Sequence, residues 1–224
     1  MRRRGGRGTA VAEGDARRRG YHPPMDRLFG RPRLSDDQQR RLPPGQYLTE
    51  KWPVLHYGSV PRTDLGTWDL RAFGAVENPV TLSWDAFQAL PHTTVHTDIH
   101  CVTRWSKLDA DFGGVPLRDF LDLVRPTPSA RFVLAHCEQA YTTNLPLDAL
   151  RDDDVPLADS YAGRPLEPDH GWPLRLLVPK RYFWKSAKWL RGLEFLDRDV
   201  PGFWERYGYH NDADPWQEQR FEGD

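Results

Sequence analysis

Twenty prolines stand in these 224 residues, spread along the chain rather than gathered in one tract. Proline lacks a backbone donor and breaks helix interiors, so this spacing excludes a helical bundle. It favours many short elements joined by fixed turns. The length fits one large domain or two small ones, with enough residues to bury a core. Hydrophobic residues at 38% and aromatics at 12% are globular values, and 28% of the chain is charged. No apolar run approaches the roughly 18 residues that a membrane-spanning helix needs.

Charge and cysteine content narrow the setting. Residues 1–24 carry a charge of +5, which leaves −6 for the remainder of a chain with net charge −1. The arginines precede no apolar stretch of an export signal, so export is not expected. We read residues 1–40 as a basic disordered tail and linker, and 41–224 as the domain, with Met25 an alternative translation start. Such an arm can bind nucleic acid, but the near-neutral total makes that an unlikely main role. Cys101 and Cys137 are too few for a disulfide framework, although one bridge is possible. The low count suits a reducing compartment, and a cytoplasmic location is expected.

The stretch Val95 to Lys107 is dense in Val, Ile and Thr, with apolar and polar residues alternating, and it reads as one strand. Period two puts Val95, Ile99 and Cys101 on one face and His96, Asp98 and His100 on the other. Cys101 then sits near a strand end beside Arg104 and Lys107. Nearby cations lower a thiol pKa from its ordinary value of about 8.5. A single cysteine in a strand is otherwise an ordinary small buried residue.

Around this stretch the pattern is of short elements. Ser83 caps a helix from Trp84 to Leu90, and Pro116 opens a helix with Leu117, Phe120, Leu121 and Val124 on one face. Residues 68–74, 131–137, 173–179 and 189–196 read as strands, 147–150 as a helical turn, and 155–166 as a hairpin around Ala162-Gly163-Arg164-Pro165. Asp111 to Val115 reads as a loop, 26–46 as a linker and 201–221 as a surface wrap. The expected class is α+β, with mixed, mainly antiparallel sheets and short helices.

Two constellations point to chemistry. His170, Arg175, Arg181, Lys185 and Lys188 gather cations where Gly171 and Ser186 permit close backbone approach, which makes a plausible anion cradle. His100-Cys101 and His136-Cys137 are an alternative zinc pairing, without the CxxC or HxxxH spacing that marks such sites. His92, His96 and His100 would converge only on a helix. Asp152-Asp153-Asp154 reads as a solvated acidic run.

Three linked segments then carry a resemblance: His100-Cys101-Val102-Thr103-Arg104-Trp105-Ser106, His170-Gly171-Trp172-Pro173-Leu174-Arg175, and Lys185-Ser186-Ala187-Lys188-Trp189-Leu190. In order and spacing they resemble the molybdopterin domain of the sulfite oxidase family, over roughly residues 42–221. The small single-domain bacterial members are nearest, and the methionine-sulfoxide reductase catalytic subunits are more distant. The resemblance implies a molybdenum-molybdopterin cofactor and a two-electron oxygen-atom transfer on a small oxide or oxyanion. By position it implies Cys101 as the thiolate ligand of molybdenum. His170, Arg175, Lys185, Ser186, Ala187 and Lys188 would hold the pterin and its phosphate, with Cys137 a further contact. Arg104, Lys107 and His56 are candidate substrate-side groups.

The family's sulfite oxidases carry paired arginines shortly after the ligand cysteine, whereas only Arg104 stands here, before Trp105-Ser106. The resemblance therefore does not single out sulfite, and the expected substrate is a sulfoxide, an N-oxide or a sulfite-like oxyanion. Haem-mediated transfer within the chain is not expected, so a separate electron-transfer partner is. The rival reading is a metal-free module of the same fold that binds an anionic ligand or nucleic acid.

Overall fold

The computed structural model describes residues 33–224, so the basic arm and the Met25 start lie outside the described residues. One compact unit spans Ser35–Asp224. Its strands are β1 (Tyr47–Leu48), β2 (Asp69–Gly74), β3 (Val80–Ser83), β4 (Thr93–His100), β5 (Trp105–Pro116), β6 (Phe132–Cys137), β7 (Thr142–Pro146), β8 (Pro156–Tyr161), β9 (Arg164–Pro165), β10 (Arg175–Leu176) and β11 (Leu190–Leu196). The helices are α1 (Asp36–Arg40), α2 (Trp84–Gln88) and α3 (Leu117–Val124).

The strands form two sheets, one of six and one of five. In the first, β4 pairs with β5, and β5 also pairs with β1 and β8, which carries β9 and β10. The second runs β3-β2-β11-β6-β7. The β1–β5 and β2–β11 pairs are parallel; every other pairing is antiparallel. The expected mixed α+β architecture is the one observed. α3 buries the helical stripe Leu117, Phe120, Leu121 and Val124 in the main core, with Leu70, Val133, Leu174, Leu193 and their neighbours. A second, smaller core of Ile99, Trp105, Phe112 and Leu177 lies against Cys101.

Five expectations need correction. The stretch 95–107 is two strands: β4 ends at His100, the chain turns through Cys101 to Arg104, and β5 begins at Trp105. Arg104 takes a left-handed φ of 74° and its N–H closes the turn on the Cys101 carbonyl at 2.9 Å. A bulge between Thr97 and Ile99 breaks the alternation, with Asp109 opposite at φ 57°. Ile99 and His100 are consequently both buried. Residues 111–115 are strand, because the glycines there serve close approach and not a turn: a Cβ on Gly114 would stand 2.1 Å from the Leu157 carbonyl oxygen. Gly114→Ala is therefore expected to cost about 1–3 kcal/mol through overpacking. Chemical denaturation checks this, and an unchanged midpoint would mean that β5 and β8 part without penalty.

In the stretch read as linker, Ser35 caps α1 with a capping box, and Arg41 binds Asp98 at 2.5 Å and Asp109 at 2.6 Å across the bulge. The stretch 173–179 is strand only at Arg175–Leu176. The final segment is more than a wrap. Glu205, Ala213 and Arg220 are buried, and Trp204 and Tyr209 reach the cavity described next.

Candidate active site

The cavity, about 290 Å³, opens where the turn after β4 meets residues 52–57, the 168–175 segment and residues 183–189. Of the residues singled out in the sequence, Cys101, His56, His170, Arg175, Ser186, Ala187 and Lys188 line it together. Arg104, Lys107, Cys137, Arg181 and Lys185 are outside its lining.

Local hydrogen bonds explain how the chain presents Cys101. Its N–H donates to the Trp105 carbonyl at 2.9 Å, and its carbonyl accepts from Gln46 Nε2 at 3.1 Å. The Phe183 N–H donates to the His100 carbonyl at 2.8 Å, which joins the cationic loop to the strand end. Sγ lies 3.2 Å from the Thr103 hydroxyl. Cations were expected to lower the thiol pKa. Instead burial pushes it up, opposed by hydrogen bonding at Thr103. The reason is placement: Lys107 Nζ donates to the Glu50 carbonyl at 3.0 Å, and the Arg104 guanidinium lies beside Gly45 with Glu218 and Arg220.

The cavity also holds two cations, Arg175 and Lys188, neither of them ion-paired with a carboxylate. Arg175 is 1% exposed; its Nη atoms donate to the carbonyls of His170 at 2.8 Å and Ser186 at 2.7 Å. Its Nε is buried with no hydrogen-bond partner. Phe183 at 4.3 Å and Trp52 at 5.5 Å flank the guanidinium. Burial holds the Arg175 pKa down to about 9, and burial with Arg175's repulsion holds Lys188 at about 7. Lys188 Nζ donates to the Asp169 carbonyl at 2.7 Å. Gly171, at φ 114°, lets this segment close on both cations: a Cβ there would press on the Lys188 and Arg175 side chains at 3.2 and 3.3 Å. A buried guanidinium and a half-buried ammonium whose hydrogen bonds go to carbonyls, with one donor left over, are what a bound anion would satisfy.

His170 stacks on Trp52 with centroids 4.0 Å apart, and burial lowers its pKa, so the ring is neutral. His56 packs against Trp189 at 5.4 Å, with Nδ1 3.1 Å from the Gly58 carbonyl. Ser186 Oγ accepts from the Val178 N–H at 2.9 Å, so its hydroxyl shapes the loop.

Outside the cavity, Lys185 is fully buried on Glu205 at 2.6 Å, which is why it cannot turn towards a ligand there. Cys137 lies in the main core, where burial drives its pKa far up. Arg181 pairs with Asp212 at 2.9 Å. The zinc pairing does not assemble. His136 is bound to Glu194 at 2.8 Å in the other sheet, and among the described residues no three His, Cys, Asp or Glu side chains gather as a metal site. The acidic run makes surface pairs, Asp153 with Arg118 and Asp152 with Lys180. Sequence reasoning missed Trp52, Trp204 and Tyr209. Their aromatic density was visible, but no spacing links residue 52 or 209 to residue 101.

Comparisons with known proteins identify the family. Residues 57–204 match the model of the oxidoreductase molybdopterin binding domain. The chain is 47% identical over 197 residues to the uncharacterized oxidoreductase YuiH of Bacillus subtilis, covering 88% of this chain and 99% of that one. It is 26% identical over 170 residues to the protein-methionine-sulfoxide reductase catalytic subunit MsrP of Campylobacter jejuni, covering 66% of this chain but 57% of that one. The sulfane dehydrogenase SoxCD of Paracoccus pantotrophus shares the fold, with a TM-score of 0.62 at 18% identity over 90% of this chain and 60% of that one. The chain therefore belongs to the molybdopterin-binding oxidoreductases of sulfite oxidase type, the family whose cofactor is molybdenum-molybdopterin.

Proposed function

We propose that this oxidoreductase performs two-electron oxygen-atom transfer on a small oxide or oxyanion, with Cys101 the protein ligand of molybdenum. The observation that carries the reading is the shared cavity: one thiol lines the same space as buried Arg175 and half-buried Lys188, neither of them ion-paired with a carboxylate. A soft thiolate suits this metal, and binding a metal deprotonates a thiol that burial otherwise keeps protonated. When bound, the cofactor supplies the two-electron redox change and the exchange of an oxygen atom with substrate.

The chain's own residues do the rest. Arg175 Nε and Lys188 Nζ would hold the phosphate end of the cofactor, with Ser186 and Ala187 lining the cavity beside them. Trp52, stacked on His170 and 5.5 Å from the Arg175 guanidinium, would shield that cation from water. Tyr209 and His56, which both line the cavity, are the candidates to hydrogen-bond a substrate oxygen. Electrons come from or go to a separate partner protein. The rival, a metal-free module, uses the same cations but leaves the Cys101 thiol in the cavity without a task.

Metal analysis of protein made in a host that synthesises molybdopterin tests the reading, with near-stoichiometric molybdenum expected. Zinc, or folded protein without metal, would move the assignment to the rival. Lys188→Ala is expected to lower molybdenum content about tenfold after dialysis, the loss of one charge-assisted contact. Its pH dependence has a definite sign. The unloaded ammonium titrates at about 7, below its ordinary 10.5, so an anion that needs it charged binds with proton uptake above that pH. Retention should thus weaken as pH rises through 7 to 9, and the variant should lose that slope.

A further inference from the structure

We infer that Arg220 is a positioning residue of this site: it fixes a buried positive charge behind the Cys101 sulfur and makes a metal bound there easier to reduce. This rests on the reading of Cys101 as the molybdenum ligand and deepens it.

The final segment brings this charge in. Arg220 is 5% exposed, and its guanidinium is held from several sides. Nη1 donates to the Tyr182 hydroxyl, Nη2 donates to the Pro44 carbonyl at 3.4 Å, and Cζ lies 4.9 Å from the centre of the Tyr182 ring. Its backbone is anchored as well: the N–H donates to Asp224 Oδ2 at 3.0 Å, and the carbonyl accepts from the His210 N–H at 3.2 Å. A short chain of contacts leads from the guanidinium to the cysteine. Tyr182 is hydrogen-bonded by Gln46, whose Nε2 also donates to the Cys101 carbonyl at 3.1 Å. Tyr182 further packs in one cluster with Val102, the residue after Cys101. The opposing charge is weak, since Glu218 stands 3.4 Å from Nη2 with its side chain 47% exposed.

A charge removed from water acts more strongly and over a longer range than one on the surface. The field of Arg220 reaches the Cys101 sulfur, where it favours the thiolate against burial. Arg104, nearer in sequence, is exposed and therefore screened. Arg220 is outside the cavity lining, so it acts through the cysteine and not on a substrate. Reduction adds negative charge to a metal and its thiolate ligand. A fixed cation beside that sulfur stabilises the reduced form and raises the potential.

Two readouts test this. In cofactor-free protein carrying Cys137→Ala, Cys101 is converted to a thiocyanate, whose nitrile stretch reports the field at the sulfur. Arg220→Met should shift that band, and Arg220→Lys should leave it near the parent. In the enzyme purified with its cofactor, a redox titration followed by electron paramagnetic resonance gives the potential of the metal's one-electron couple. Arg220→Met is expected to lower the ratio of reduced to oxidised metal at a fixed potential about tenfold, a shift of about 59 mV for one electron. Arg220→Lys should keep the parental potential. Glu218→Gln removes the opposing charge and should raise the ratio, by about threefold or less because that carboxylate is half exposed. Mere loosening of the final segment would not give opposite signs for two variants of that segment, nor rescue by lysine. An unchanged nitrile band or an unchanged potential in Arg220→Met would overturn the inference. A nitrile shift in protein that takes up no molybdenum would uphold the placement of the charge, and would count against the molybdenum reading alone.

Discussion

Cys101→Ser is expected to fold, melt within a few degrees of the parent, and lose at least about a thousandfold in turnover. The side chain is 7% exposed, and its sulfur's polar contacts are the Thr103 hydroxyl and the backbone at Val102 and Thr103, which a serine hydroxyl can keep. The exchange is nearly isosteric, so about 1 kcal/mol or less of stability is at stake. The turn that presents the residue depends on backbone bonds to Trp105, Gln46 and Arg104, and none of these involves the side chain. A serine hydroxyl, however, neither ionises as readily as a thiol nor offers a soft donor atom. Arg175 and Lys188 are untouched, so the variant should still retain cofactor while its metal absorption spectrum changes. Thermal denaturation, molybdenum content and viologen-linked turnover measured on one preparation decide the matter. Parental turnover in the serine variant would show that the thiolate is not the ligand.

How much of this was legible beforehand depended on the range of each interaction. α3 and the 155–166 hairpin were readable because spacing within about ten residues decides them: Pro116 at the helix start, a four-residue apolar stripe, Gly163 in the turn. Among the site residues, His170, Arg175, Ser186 and Lys188 stand on one continuous stretch, and the resemblance placed them together in the cavity with Cys101. The end of β4 was not readable, since it is set by a bulge and by Arg41, 57 residues upstream of Asp98. Nor was the strand character of Gly113 and Gly114, which look like turn residues until Leu157 is laid against them. The aromatic half of the cavity comes from residue 52 and from a polar-looking final segment. No local period reports a contact made across half the chain.

Lys185 shows the same lesson in a form that can be measured. Adjacent in sequence to three cavity residues and cationic, it reads as a cofactor contact, but its ammonium is 2.6 Å from Glu205 with side-chain exposures of 1% and 2%. It also donates to the Asn144 carbonyl at 2.8 Å and to Oδ1 at 3.1 Å, while Trp184 Nε1 donates to the same Glu205 oxygen at 2.9 Å. Burial pushes the lysine pKa down, and Glu205 is the main influence that opposes this. Lys185→Met would strand Glu205, whose Oε2 already has no partner, as an uncompensated buried carboxylate. The expected cost is about 3–5 kcal/mol, a fall in Tm of roughly 6–20 °C for a domain of this size. Combining it with Glu205→Leu removes the stranded charge, and the double variant should recover most of that loss. The measurement belongs on protein freed of cofactor, because a direct ligand contact would leave that form's Tm unchanged and lower only molybdenum content. Destabilisation of the cofactor-free single variant, with recovery in the double, is what a buried ion pair joining the final segment to the cavity loop requires.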